Sequence, residues 1–256
     1  MHHWAKKLFA IAAPMLLTGC LWGPGKFTSD LTLKKNGSFV LDYRGEIILE
    51  MAELMKPKPW QNTMAHCLTD LKPRPCSAAE IAQQKLAYDT KQTSDAETAK
   101  SMGLPGADEE SNRAFAAKLM KYAGWRSVSY RGNGVYDVDY HLAGSATQDV
   151  VFPLMPDNNL VIPFIVMRRR SDGAVLVNAP ALAGGTNMFG PMAQAMGGES
   201  KGAPPSRAQG RFTIHTDGEI LTNNSEDGPS ADPLGRQVHW DIAPGSPKLP
   251  ETLIRL

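Results

Sequence analysis

Side chains able to do chemistry are few in this chain, and they are scattered. Its three cysteines are Cys20, Cys67 and Cys76. Cys20 ends the run Leu17-Thr18-Gly19-Cys20, a thiol behind small residues. His66 stands beside Cys67, but one histidine and two cysteines without a further ligand pair make a poor zinc signature. Asp137 and Asp139 are two residues apart, so a strand would point both to one face. There they could work as a carboxylate pair or simply form the solvated side of a hairpin. His141, His215 and His239 are open to roles as base or ligand, or to plain exposure on strands. Arg168-Arg169-Arg170 precedes a turn and could meet phosphate headgroups or end a strand in solvent. Met188, Met192 and Met196 recur every four residues with Phe189 alongside, a stripe suited either to core filling or to an adaptable apolar surface. Nucleophile-elbow, P-loop and HExxH patterns do not occur, so no catalytic residue, cofactor or metal is expected.

Position explains Cys20. Lys6 and Lys7 precede Leu8 to Leu17, an apolar stretch too short for a bilayer core, which takes ~20 residues. A charged start, a short apolar run and small residues before a cysteine resemble the lipobox of bacterial lipoproteins. The resemblance implies a signal peptide over residues 1–19, cleavage before Cys20, and acylation of its sulfur and new amino group with palmitate-like chains. A triacylated cysteine exceeds the two-signal threshold for stable anchoring. Leu21 rather than Asp follows, which favours the outer membrane, facing the periplasm, if the chain is Gram-negative. Residues 20–26 read as the lipidated cysteine and a short tether, and residues 27–256 as one domain. In an oxidising envelope compartment Cys67 and Cys76 are expected to form a disulfide.

A formal net charge of +1 gives no electrostatic footprint for nucleic acid. The 23 glycines and 19 prolines point to many turns.

The elements that must position these groups follow from periodicity. Residues 27–34 and 39–43 alternate about Asn36-Gly37, a hairpin. A three-residue loop pairs Leu31 with Leu41 and Leu33 with Phe39, whereas a two-residue turn would set Asp42 on the apolar face. Residues 46–55 carry helix formers, although the start could still belong to the strand. Ser77-Ala78-Ala79-Glu80 is a capping box opening a helix to about Tyr88. Residues 88–108 read as polar loop with one helical turn, and 109–123 as the clearest helix. Period two then returns: a hairpin about Gly132-Asn133-Gly134, strands within 149–154, 160–167 and 174–177, and final strands at 211–216, 219–222 and 237–242. The expected fold is α+β, an antiparallel sheet of about seven to nine strands with two to four helices on one side.

The closing strands carry a second likeness. Phe212-Thr213-Ile214, Asp217-Gly218-Glu219-Ile220, Asn223-Asn224 and Gly235-Arg236-Gln237-Val238-His239-Trp240, with the early Asn36-Gly37 hairpin, resemble the LppM-type lipoprotein domain of bacterial envelopes. The likeness covers both ends, and the middle only by element order. It implies an envelope-facing α+β domain that engages lipids or glycolipids, and it supplies no catalytic residues. The chain departs from that pattern in its long polar loops and in showing no C-terminal transmembrane run.

The expected function is therefore a membrane-anchored, non-enzymatic binding module. Its ligand would be a lipid-like molecule or an envelope protein, held by Met188, Phe189, Met192, Met196 and Arg168 to Arg170. Two alternatives remain: a hydrolase assembled from residues such as Asp137, Asp139, His141 and His215, and a scaffold subunit.

Overall fold

The Asn36-Gly37 turn sets the frame of the molecule. A computed structural model describes residues 22–49, 59–69, 72–101, 105, 108–154, 163–182, 207–246 and 248–256. In it β1 (Trp22–Leu33) and β2 (Ser38–Leu49) pair with Leu31 opposite Leu41 and Leu33 opposite Phe39. That is the register demanded by keeping Asp42 off the apolar face. Gly37 has φ 82°, a left-handed angle that favours glycine. The amide of Gly37 closes the turn on the Lys34 carbonyl at 2.8 Å.

Both strands are longer than the alternation alone suggested. Trp22 to Lys26, expected as tether, are the opening of β1, and Trp22 is buried. Glu46 to Leu49, open from sequence to either a helix start or the end of the strand, complete β2, because Ile47, Ile48 and Leu49 are all buried and β6 pairs alongside. Three consecutive buried residues suit a covered strand better than one stripe of a helix.

The α+β class holds, with the strands divided among three sheets. The remaining strands are β3 (Cys67–Thr69), β4 (Lys72–Arg74), β5 (Trp125–Gly132), β6 (Val135–Ser145), β7 (Val150–Phe152), β8 (Ile165–Arg169) and β9 (Val175–Asn178). They continue as β10 (Gln209–Thr216), β11 (Glu219–Asn223), β12 (Ser230–Asp232), β13 (Gly235–Ile242) and β14 (Glu251–Arg255). Seven form a sheet ordered β12-β13-β10-β1-β2-β6-β5, five a sheet ordered β11-β14-β9-β8-β7, and β3 and β4 a separate hairpin. β10 joins β1 in parallel, so the large sheet is mixed rather than wholly antiparallel. Gly210 permits this, since a Cβ there would lie 1.9 Å from the Phe27 carbonyl oxygen.

The core lies between the two larger sheets. Tyr43 of β2 contacts Phe152 and Phe164 across the interface, with ring centroids 5.0 and 5.8 Å apart. Helix α2 (Glu109–Leu119) covers the β5 side, and its Phe115 stacks on Trp22 at 4.9 Å. Asp108 caps that helix by accepting from the Ser111 amide at 2.7 Å.

Helix α1 (Ala78–Ser101) is different. It runs thirteen residues beyond the expected end at Tyr88, where polar loop was expected, and among its residues only Ala99 is buried. Local pairs such as Lys91–Asp95 at 2.7 Å support it, not an apolar stripe. Its capping box is formed: Ser77 Oγ accepts from the Glu80 amide at 3.3 Å, and Glu80 accepts from the Ser77 amide at 2.9 Å. The disulfide is present between Cys67 and Cys76 and closes the chain just before α1. Gln84 donates to the His66 carbonyl at 3.1 Å and ties the helix to that loop.

Candidate functional site

Strand alternation gives the seven-stranded sheet one covered face and one polar face that is open among the described residues. Leu31, Leu41, Tyr43, Tyr136, Val138, Ile214, Val238 and Trp240 are buried toward the core. Their neighbours in sequence therefore point the other way. Register sets Asp30 opposite Asp42, Asp42 opposite His141, Asp30 opposite Thr213, and Thr213 opposite His239. One row thus crosses five strands as His141, Asp42, Asp30, Thr213 and His239.

The imidazoles in and beside this row all meet carboxylates. His141 Nδ1 lies 2.7 Å from Asp42 Oδ1. His215 has Asp232 at 3.0 Å on Nδ1 and Asp30 at 3.7 Å on Nε2. His239 Nε2 lies 3.3 Å from Asp227. The Leu234 amide, and behind it His215, hold the Asp232 carboxyl below the usual range. Asp137 and Asp139 share the same face but do not act as a joined carboxylate pair. Asp137 is engaged by Arg131, and Asp139 by Arg44 at 3.5 Å. Arg211 makes a forked bond to Asp241 at 2.7 and 2.9 Å, which holds that carboxyl low.

The residues named for a hydrolase are split. His141, Asp139 and Asp137 lie together on β6, whereas His215 lies on β10, beyond β2 and β1. The carboxylates that meet His141 and His215, namely Asp42, Asp30 and Asp232, and Asp227 beside His239, were not singled out from sequence. The Asp30–Asp42 pairing follows from the hairpin register. The contact of Asp42 with His141 spans 99 positions and has no local signal.

Three depressions lie along this sheet. One of about 630 Å³ is lined by Glu46, Arg131, Gly132, Asn133, Val135, Asp137 and Arg207. A second of about 540 Å³ is lined by Lys26, Phe27, Thr28, Arg44 and Gln209. A third of about 280 Å³ holds the His239–Asp227 pair beside Asn224, Trp240, Ser246 and Lys248. Among the described residues none of these three has a methionine in its lining.

The arginine triplet sits elsewhere. Arg169 donates to the Ala146 carbonyl at 3.1 Å, and the Ala146 amide donates to the Gly37 carbonyl at 2.7 Å. The triplet is therefore beside the β1–β2 turn, a full strand length from Trp22. Arg168 faces Asp149 at 4.0 Å and Arg170 faces Asp172 at 3.0 Å. Cys20, Met188, Phe189, Met192 and Met196 lie outside the described residues. Among the described residues no group of three or more histidine, cysteine or acidic side chains could hold a metal ion, and no helix is long and apolar enough to cross a membrane.

No family model matches the chain, and no curated protein matches it. Among solved structures it is similar to the folded domain of LppM from Mycobacterium tuberculosis, at 9% identity over 91% of each chain with a TM-score of 0.33.

Proposed function

We propose that this chain is a bacterial envelope lipoprotein, anchored through acylated Cys20, whose domain binds a lipid-like ligand or an envelope partner. The observation that supports it best is the burial of Trp22 in the core. Only Leu21 separates that fixed residue from Cys20, so an acylated Cys20 would seat the domain against the headgroups without a stalk. Two residues reach ~7 Å at most. Leu21 after the cysteine favours the outer membrane of a Gram-negative cell, with the domain in the periplasm. Native mass spectrometry of the chain purified from envelope membranes tests the binding reading. Co-purified lipid or a defined envelope protein is expected, and a chain with neither would contradict it.

A hydrolase remains the second reading, supported by one feature. His239 and Asp227 pair at 3.3 Å within a depression that also presents Ser246. The assay is ester hydrolysis by the wild type and by His239→Ala. Activity that disappears with the imidazole would favour this reading over the binding module, and activity unaffected by its loss would refute it.

A further inference from the structure

We infer that the depression around Arg131 and Arg207, at the anchored end of the open sheet face, is a site for the phosphate of a membrane phospholipid headgroup. The inference rests on the anchored-module reading for the source of the lipid.

Placement is the first argument. Trp22 pairs with Leu49, and the Leu49 amide donates to the Gly134 carbonyl at 2.8 Å. The β5–β6 turn, whose Gly132 and Asn133 line the depression, is thus held at the end of the sheet where β1 begins. Glu46, another lining residue, accepts from the Lys26 amide at 2.9 Å. Lys26 is six residues from Cys20, within ~20 Å even for fully extended chain. A lipid in the leaflet that holds the anchor can reach this depression. Arg168 to Arg170 lie past the far end of β1, ~36 Å along the strand from Trp22, at the opposite end of the sheet from this depression.

Charge is the second argument. Arg131 is engaged by Asp137, whereas Arg207 is exposed and has no carboxylate partner among the described residues. A guanidinium offers a planar fork that matches two phosphate oxygens. Glu46 and Asp137 on the same rim disfavour a purely anionic ligand. They suit a headgroup that joins its phosphate to a protonated amine, so ethanolamine phospholipid fits better than phosphatidylglycerol.

The test uses the full chain in mild detergent, titrated calorimetrically with dihexanoyl phosphatidylethanolamine. Arg207→Gln should weaken binding about tenfold or more, the loss of one charge-assisted contact of ~1.5–3 kcal/mol. Arg207→Lys should recover part of it. A variant with Arg168, Arg169 and Arg170 all changed to Gln should bind as the wild type does, and dihexanoyl phosphatidylglycerol should bind more weakly. No binding by the wild type, an unchanged Arg207→Gln, or loss in the triple variant would overturn the inference. Displacement of the lipid by equimolar inorganic phosphate would also overturn it, making free phosphate the ligand. None of these readings depends on acylation, so an unmodified Cys20 would sink the anchor without deciding the Arg207 result.

Discussion

Asp30 and Asp42 stand directly opposite each other on β1 and β2, with His215 and His141 on their outer sides. Like charges directly opposite on paired strands are destabilising by roughly 0.2–1 kcal/mol. The two differ in their own partners: His141 lies 2.7 Å from Asp42, but His215 lies 3.7 Å from Asp30. Asp30→Asn should therefore raise stability at neutral pH by up to ~1 kcal/mol. Asp42→Asn should give no such gain, because it weakens the closer imidazole contact. Urea unfolding of both variants checks this, and a loss with Asp30→Asn would mean that the row is held by more than these pairs.

The parallel junction of β1 and β10 depends on a glycine. A Cβ at position 210 would collide with the Phe27 backbone at 1.9 and 2.8 Å, which no side-chain movement relieves. Gly210→Ala should cost at least roughly 1–3 kcal/mol and loosen the β10–β13 half of the sheet. Hydrogen exchange should show lost protection in β10 while the β2–β6 pairing keeps its own. Unchanged protection across β10 would contradict the pairing.

Cys67 and Cys76 lie nine positions apart in sequence, and their bond contributes ~2.7 kcal/mol in the chain-entropy model. β3, β4 and nearly all of α1 lie outside the core, so the effect of losing the bond should be local. Replacing both cysteines by serine should raise exchange in α1, β3 and β4 with little effect on the two larger sheets. Non-reducing peptide maps should link the two peptides, and free thiols in envelope-purified protein would count against the pair.

The first turn of α1 carries a pH dependence. Arg74, and after it Ser77, hold the Glu80 carboxyl down to about 2. A carboxyl lowered in the fold adds stability above its unfolded value of 4.5, and that stability is lost as the pH falls toward about 2. Fraying of the α1 start should appear within that window when followed by amide exchange at Glu80. Glu80→Gln should fray alike at neutral and acidic pH. A carboxyl titrating near 4.5 by NMR would contradict the arrangement.

What could be read from the chain depended on how far the deciding contacts reach. The register of β1 and β2 was legible because Gly37 and the alternation of Leu31, Leu33, Phe39 and Leu41 lie within one hairpin. The capping box Ser77–Glu80 was legible for the same reason. The extension of α1 was not, because a helix polar all round carries no apolar period. The parallel pairing of β1 with β10 joins segments some 180 residues apart, with no local signature beyond Gly210. The open face was half visible: parity placed Asp137, Asp139 and His141 together, but the carboxylates facing each histidine come from other strands.

The central claim is the proposed acylation of Cys20, which would set the buried Trp22 and the adjoining depression at a membrane surface. The direct measurement is the mass of the N-terminal peptide of the chain isolated from envelope membranes. The predicted result is a peptide beginning at Cys20 that carries a diacylglyceryl group on sulfur and an acyl group on the new amino terminus. Recovery of residues 1–19 still joined to Cys20, or of Cys20 with a free thiol, would contradict it.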